Sequence, residues 1–314
     1  MGLIKDDNPM HYLALAMAAI FWGGNYVVGK VMAQALDPVG ITLIRWLGAA
    51  CIIFLIYRTS VIKDWRAFKA HLPFNLIYSI LGQIFFPLSL YFALQYTTSL
   101  NAAIYISTTP SMVLAINHFV FKDKVHANEI LGVIVSTAGV LYLSIMNAKA
   151  ESLTFNIGDA LAFFSAFSWS LYSSLLRFKQ KDISNTSFVA YTSGIAALML
   201  LPIFGIYASS TSFDINHAVD SLNYFSVAGL CYLIIFPSWL SYVFWNYGAG
   251  KLGTSKSDIF THLIPISGGC FGVFFLGEQL ESYHFIAITL IASGVTLCAR
   301  KQRKNLNTQV SENL

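Results

Sequence analysis

A helix that crosses a bilayer needs roughly 20 mostly apolar residues, and ten windows of the chain meet that requirement. They lie at 12–32, 38–57, 73–95, 99–121, 127–146, 157–177, 186–207, 222–247, 256–276 and 282–299. The connections are short; the longest polar ones, 58–72 and 208–221, leave no room for a soluble domain. Composition agrees. Of 314 residues 56% are hydrophobic and 11% charged, against about 25% charged in soluble domains, so the chain cannot build a polar shell. An all-α polytopic membrane protein is expected. The net charge of +4 does not indicate nucleic acid, and the 15% aromatic content suits interfacial belts and lined cavities.

Cys51, Cys231, Cys270 and Cys298 each sit in an apolar run with no CxxC spacing. They read as small hydrophobic residues, not a metal or redox site. The start, MGLIKDDNPMHY, carries Asp6 and Asp7 and runs into an apolar segment with no cleavage point. It is read as neither a signal peptide nor a myristoylation site, and the first helix as a retained signal anchor.

Basic residues set the orientation. With the N-terminus inside, the cytoplasmic segments hold Lys5; Arg58, Lys63, Arg66 and Lys69; Lys122 and Lys124; Arg177, Lys179 and Lys181; Lys251 and Lys256; and Arg300, Lys301, Arg303 and Lys304. The outer loops hold Lys149, with Lys30 at a helix end. Both termini are therefore expected in the cytoplasm, and the chain in the inner (plasma) membrane.

The chain also repeats itself. YFALQYTTSLNAAIYISTTP (Tyr91–Pro110) aligns without gaps to NYGAGKLGTSKSDIFTHLIP (Asn246–Pro265), an offset of 265 − 110 = 155. At the same offset Asp123 falls on Glu278 and Gly139 on Gly294. Trp22 and Lys30 match Trp169 and Arg177 at 169 − 22 = 147. Five helices per half is an odd number, so the second half enters the membrane inverted, an arrangement that places transport sites near the midplane between halves. The expected divisions are 1–149, 150–300 and a basic, polar cytoplasmic tail at 301–314.

These features resemble the EamA family of the drug/metabolite transporter superfamily. The resemblance is carried by Trp22, Gly23, Asn25 and Lys30; by DPVGITLIRWLGA with Pro38 and Arg45; and by Pro110 and Pro265, each followed by an acidic residue and a Gly-Val. It implies ten helices in two inverted five-helix repeats, with helices 1–4 and 6–9 around a central cavity and 5 and 10 outside. It also implies export, in some members import, of amino acids and other small metabolites. One departure is Lys122-Asp123 where the second half has Gly277-Glu278.

Polar groups within the windows mark the candidate site, because an isolated charge at the bilayer centre costs on the order of 3 kcal/mol or more. Trp22, Asn25, Tyr26 and Gly29 share one helical face, with Gly23 and Gly24 beside it allowing close helix approach. Asn25 either bonds between helices or lines the cavity. Its counterpart is Tyr172, at 25 + 147; two different polar groups at one repeat position would suit an asymmetric ligand. Lys30 is read as snorkelling to headgroups or as an outer gate, and Arg45 as tied to backbone carbonyls or facing substrate. Tyr91, Tyr105, Thr108, Trp169, Tyr242, Asn246 and His262 complete the expected substrate face; packing aromatics and belt residues are the plainer reading. Asp258 and His262, one turn apart, could exchange a coupling proton. His118 and His284 are expected at the interface. Pro110 and Pro265, like Pro87 and Pro237, interrupt helices and are read as hinges or as static kinks.

No Walker A, GxSxG, HExxH or paired-cysteine pattern is present, so neither an enzyme nor a cofactor or metal is expected. The expected function is secondary transport of a small organic metabolite, most simply export of an amino acid or related compound. The alternatives are import of an amine or quaternary ammonium through an aromatic cage and, more remotely, a membrane-embedded enzyme or scaffold. The expected partners are the substrate, the lipid bilayer and a coupling proton or ion.

Overall fold

Each of the ten windows is helical, and each helix begins where the local chemistry allows. The computed structural model describes residues 8–123, 127–150, 156–211 and 223–311, all helix and connections with no strand among them. Helix α1 (Pro9–Ala35) has Pro9 in its first turn and the Asn8 side chain accepting from Met10 N. In α2 (Pro38–Ile56) the Asp37 carboxylate accepts from Gly40 N. The Asp-Pro pair of the family resemblance is thus a helix start: a capping acceptor, then a residue with no N–H to satisfy.

Residues 58–72, expected to be a polar connection, instead form a helix, α3 (Arg58–Ala70). Val61, Asp64 and Phe68 face inward while Arg58, Lys63, Arg66 and Lys69 are exposed, the pattern of a helix lying along an interface. Hydrogen-bond donors at Ser184 and Ser187 outweigh burial and hold the Asp64 carboxyl below its ordinary value.

The third window is α4 (Leu72–Ser79), a π-helical stretch (Ile80–Phe85) and α5 (Phe86–Tyr96). The fourth is α6 (Ser99–Ile106) and α7 (Thr109–Phe119), broken at Ser107–Thr108 just before Pro110. Then come α8 (Ala127–Ala150), α9 (Ile157–Leu175) and α10 (Asn185–Ser210). The eighth window is α11 (Tyr224–Leu233), a second π stretch (Ile234–Leu240) and α12 (Ser241–Leu252). The ninth is α13 (Thr254–Ser257), a 3₁₀ segment (Asp258–His262), α14 (Leu263–Phe271) and a π turn (Gly272–Leu276). Last is α15 (Ser282–Ser311), so the expected tail continues the helix. The basic residues Lys5 and Lys124 lie outside the described residues, as does most of the 208–221 connection.

Six of these segments are long and apolar enough to cross a membrane: 9–34, 38–56, 72–96, 99–119, 185–210 and 224–252. Helix α9 is not among them, for a local reason. Ser165, Ser168, Ser170, Ser173 and Ser174 lower its hydropathy, and all five are buried against protein. Helices α8 and α15 pack chiefly against each other. They approach closely at Gly294, where an added methyl would meet the Gly132 carbonyl and the Ser136 nitrogen. The Gly23–Gly24 pair does allow close approach: Gly23 faces Ser267 and Gly268 of α14, and Gly24 faces the Tyr232 hydroxyl of α11.

The irregular stretches fall at matching places. The π stretch 80–85 moves onto 235–240 at the offset of 155, and the second π stretch is 234–240. Lys122 and Gly277, also 155 apart, are both left-handed, with φ 61° and 67°. Their successors Asp123 and Glu278 bond back to Asn117 O (3.1 Å) and Gly272 O (3.2 Å), again a matched pair. The departure at Lys122 thus keeps the backbone that glycine adopts, at the cost of a Cβ in the left-handed region. Lys122→Gly is expected to raise stability by about 1 kcal/mol and Gly277→Ala to lower it similarly, read as opposite shifts in the thermal melt of the detergent-purified protein.

Candidate functional site

Where a π turn or a proline interrupts a helix, backbone carbonyls lose their ordinary partners, and side chains of the candidate face answer them. In the first π stretch Phe86 N bonds to Leu81 O, so the next donor in that register would be Pro87, which has no N–H. The Gly82 carbonyl accepts instead from the Tyr242 hydroxyl. In the second π stretch Trp22 Nε1 donates to Pro237 O at 3.0 Å. Gly82 and Pro237 are 155 residues apart, so the two bonds occupy matching positions.

Trp22 and Tyr242 belong to a packed aromatic group. Trp22 meets Trp169 at 4.8 Å and Trp245 at 5.2 Å between ring centroids; Tyr242 meets Trp46 at 5.1 Å edge-on and Tyr172 at 6.0 Å. All are 2% exposed or less. The expected substrate residues Trp22, Trp169, Tyr172 and Tyr242 are therefore together, as a filled layer across the bundle.

On one side of this layer lies a polar knot. Arg45, 1% exposed, donates from Nε to Ser238 Oγ (2.7 Å) and from Nη1 to Asn25 Oδ1 (3.3 Å) and the Tyr91 hydroxyl. Tyr91 in turn donates to Asn25 Oδ1 at 2.8 Å. Arg45 therefore bonds to side chains, not to backbone carbonyls as one sequence reading had it, and Asn25 makes the interhelical bonds expected of it. On the other side Asn246 Nδ2 lies 3.4 Å from the Tyr172 hydroxyl. Asn25 matches Tyr172, and Tyr91 matches Asn246. Each half thus holds one Asn–Tyr contact, with the two residue types exchanged between helices.

Beyond Asn246 a cavity of about 970 Å³ opens between the 176–185 connection and the end of α12. Arg177, Lys179, Lys181 and Lys251 line it, with Asn246 among its walls. Arg177 is held by Asp123 at 2.9 Å. Burial pushes the Lys179 ammonium down to about 8, against the pull of Asp182 and Asp64. The opposite end is knitted shut. Lys30 Nζ donates to Leu94 O (2.7 Å) and Thr97 O (2.8 Å), capping α5, a role neither sequence reading gave it. Glu278 accepts from Ser99 N (2.9 Å), Ser99 Oγ (2.7 Å) and Leu100 N (3.1 Å), capping α6.

Other expected site residues lie apart from the knot. Tyr105 and Thr108 are buried at the α6–α7 break, where the Thr108 hydroxyl donates to Tyr105 O at 2.8 Å. Pro110 starts α7, and Pro265 follows the 3₁₀ segment; the breaks touch where Thr109 Oγ1 approaches Thr261 Oγ1 at 3.4 Å. Asp258, fully buried, accepts from Ser173 Oγ at 2.9 and 3.1 Å. His262 makes no bond to it, and its Nε2 has no partner, so the expected pair is not a linked unit. His284, expected at the interface, is 4% exposed and lies 3.0 Å from Asn101 Oδ1. Sequence reasoning missed Ser173 and Ser238, which carry no signal among many membrane serines. It also missed the capping role of Glu278, whose match to Asp123 was visible.

The profile of the EamA-like transporter family matches the chain twice, over residues 9–145 and 156–300. A relative named "Uncharacterized transporter YetK" from Bacillus subtilis is 25% identical, covering 96% of this chain and 91% of its own. A "Probable amino-acid metabolite efflux pump" from Escherichia coli is 22% identical over 89% of this chain and 91% of its own. A solved crystal structure superposes with a TM-score of 0.65 at 16% identity, covering 94% of this chain and 98% of that one, which shows the fold.

Replacing Tyr242 by Phe leaves the Gly82 carbonyl buried without its side-chain donor. It is expected to cost about 1–3 kcal/mol, and Trp22→Phe a similar amount at Pro237, each measured by thermal unfolding in detergent.

Proposed function

The chain belongs to the EamA-like transporter family, and from that premise we propose that it is a secondary transporter exporting a small organic metabolite, an amino acid or related compound, by alternating access. Ten helices cross the inner membrane as two inverted five-helix repeats with both termini in the cytoplasm. The tandem family match, the matched π stretches and the exchanged Asn–Tyr contacts support the repeat. The excess of basic residues on one side of the ten-helix arrangement supports the orientation.

The observation that carries the reading is the open cavity ending at Asn246, set against the opposite end closed by Lys30 and Glu278. In the proposed orientation the open end faces the cytoplasm, where an exporter loads. The aromatic layer, packed at its centre, is the barrier that substrate passes as the halves rock. The breaks before Pro110 and Pro265 are the hinges, and Asp258, without a cationic partner among the described residues, is the candidate for a coupling proton. An imported cation fits less well: Arg177, Lys179, Lys181 and Lys251 at the cavity and Arg45 behind the aromatic layer repel it. The relatives are named as transporters, not enzymes.

Purified protein in liposomes, loaded with a mixture of labelled amino acids, is expected to give saturable counterflow of at least one of them. Asn246→Leu should reduce it severalfold in protein that remains folded at the assay temperature. Absence of saturable flux for every amino acid, amine and small organic acid tried contradicts the reading.

A further inference from the structure

Arg45 is buried to 1% exposure within a spanning helix, and among the described residues it has no counter-ion. Among the described residues the one ion pair is Arg177–Asp123. Every partner of Arg45 is neutral: the Ser238 hydroxyl, the Asn25 amide oxygen and the Tyr91 hydroxyl, with the rings of Trp46 and Tyr91 at 5.1 and 5.4 Å. A guanidinium does not shed its proton in a protein. Ring faces and neutral dipoles offset only part of the cost of burying it, so the knot carries an uncompensated positive charge.

A second observation points the same way. The Asn25 amide oxygen is taken by Arg45 and Tyr91, which fixes the amide's orientation because Arg45 can only donate. Asn25 Nδ2 is left buried without a partner, and so is Nε1 of Trp46, the ring beneath Arg45. A charged donor with an unused amide donor beside it and no acid is the complement of a carboxylate, which accepts at two oxygens. The knot joins α1, α2 and α5 to the second π stretch, where both family-matched segments meet. From it a chain of contacts runs through Trp46, Tyr242 and Tyr172 to Asn246 on the cavity wall.

We propose that Arg45 and Asn25 form the subsite that takes the carboxylate of the transported molecule, so that the charge missing from the protein arrives with the substrate. The proposal rests on the transport reading and narrows the substrate to carboxylate-bearing metabolites. The remainder of the molecule lies against the aromatic layer, which acts as a wall.

The test is a charge supplied in place. Asn25→Asp puts a carboxylate on Arg45. In the full-length protein in lipid nanodiscs it is expected to raise the melting temperature, and Arg45→Gln added to it to abolish the gain. A fall in melting temperature for Asn25→Asp overturns the proposal. The second arm measures thermal shifts of the wild-type protein with the common L-amino acids, their α-carboxamides, and chloride and sulfate as inorganic anions. At least one amino acid should stabilise it, its carboxamide should need about tenfold more for the same shift, and Asn25→Asp should not respond. Carboxamides as effective as acids, inorganic anions as the sole stabilisers, no response to any amino acid, or a response kept in Asn25→Asp each overturn it. These readouts need no flux. Intact flux with indifference to the carboxylate removes the subsite alone, and carboxylate binding without flux removes the transport reading alone.

Discussion

A backbone carbonyl inside an apolar bundle has no water to turn to, and this constraint organises the molecule. The described chain breaks α-helix geometry at three π stretches, at two 3₁₀ segments and ahead of several prolines. The two matched π stretches free carbonyls that side chains from other elements answer, while local hydroxyls answer the α6–α7 break and the 258–262 3₁₀ segment. Tyr242 reaches Gly82, Trp22 reaches Pro237, Ser168 donates to Leu81 at 2.8 Å, and Lys30 caps α5. Because the donors for the 80–85 stretch come from α9 and α12, and that for 234–240 from α1, the breaks fasten the two family-matched halves to each other.

The same accounting decides what the aromatic layer can do. An aromatic cage open to a ligand would have its N–H and O–H groups free. Here Trp22 and Tyr242 spend theirs on backbone, and their rings pack edge to face. The layer is closer to a movable wall than to a binding pocket. The recognition groups left over are Arg45 with Asn25 on one side, Asn246 with an unpartnered Oδ1 on the other, and the unpartnered Nε1 of Trp46 and Trp245 within the layer. Their near-symmetry, with Asn and Tyr exchanged, gives the two sides similar walls, with Arg45 buried in one and the basic residues of the cavity beyond the other.

Much of this was legible in the sequence. The ten windows mark the ten helical regions because apolar runs of bilayer length leave little choice of structure. The offset of 155 foretold the paired positions, down to the left-handed residues at Lys122 and Gly277. Trp22, Asn25, Trp169, Tyr172 and Tyr242 were legible as a group because polar and aromatic side chains in a membrane window need partners. The π stretches were not, since their register depends on which neighbour can answer a freed carbonyl. Nor was α3: a short amphipathic helix full of lysine and arginine reads as a loop until Phe68 and Val61 are seen against the core. The uses of Lys30 and Glu278 depend on the ends of helices distant in sequence, which no local pattern specifies.

The central claim is that the two ends of the bundle open in turn. Spin labels at Lys63 and Lys251, one in each half and both exposed at the open end, and in a second sample at Gln34 and Gln279, one in each half and exposed at the closed end, would report the two separations by pulsed electron resonance in nanodiscs. The account predicts two populations for each pair, with conditions that shorten the 63–251 distance lengthening the 34–279 distance. A single unchanging distance at both ends, or both ends opening together, would contradict it.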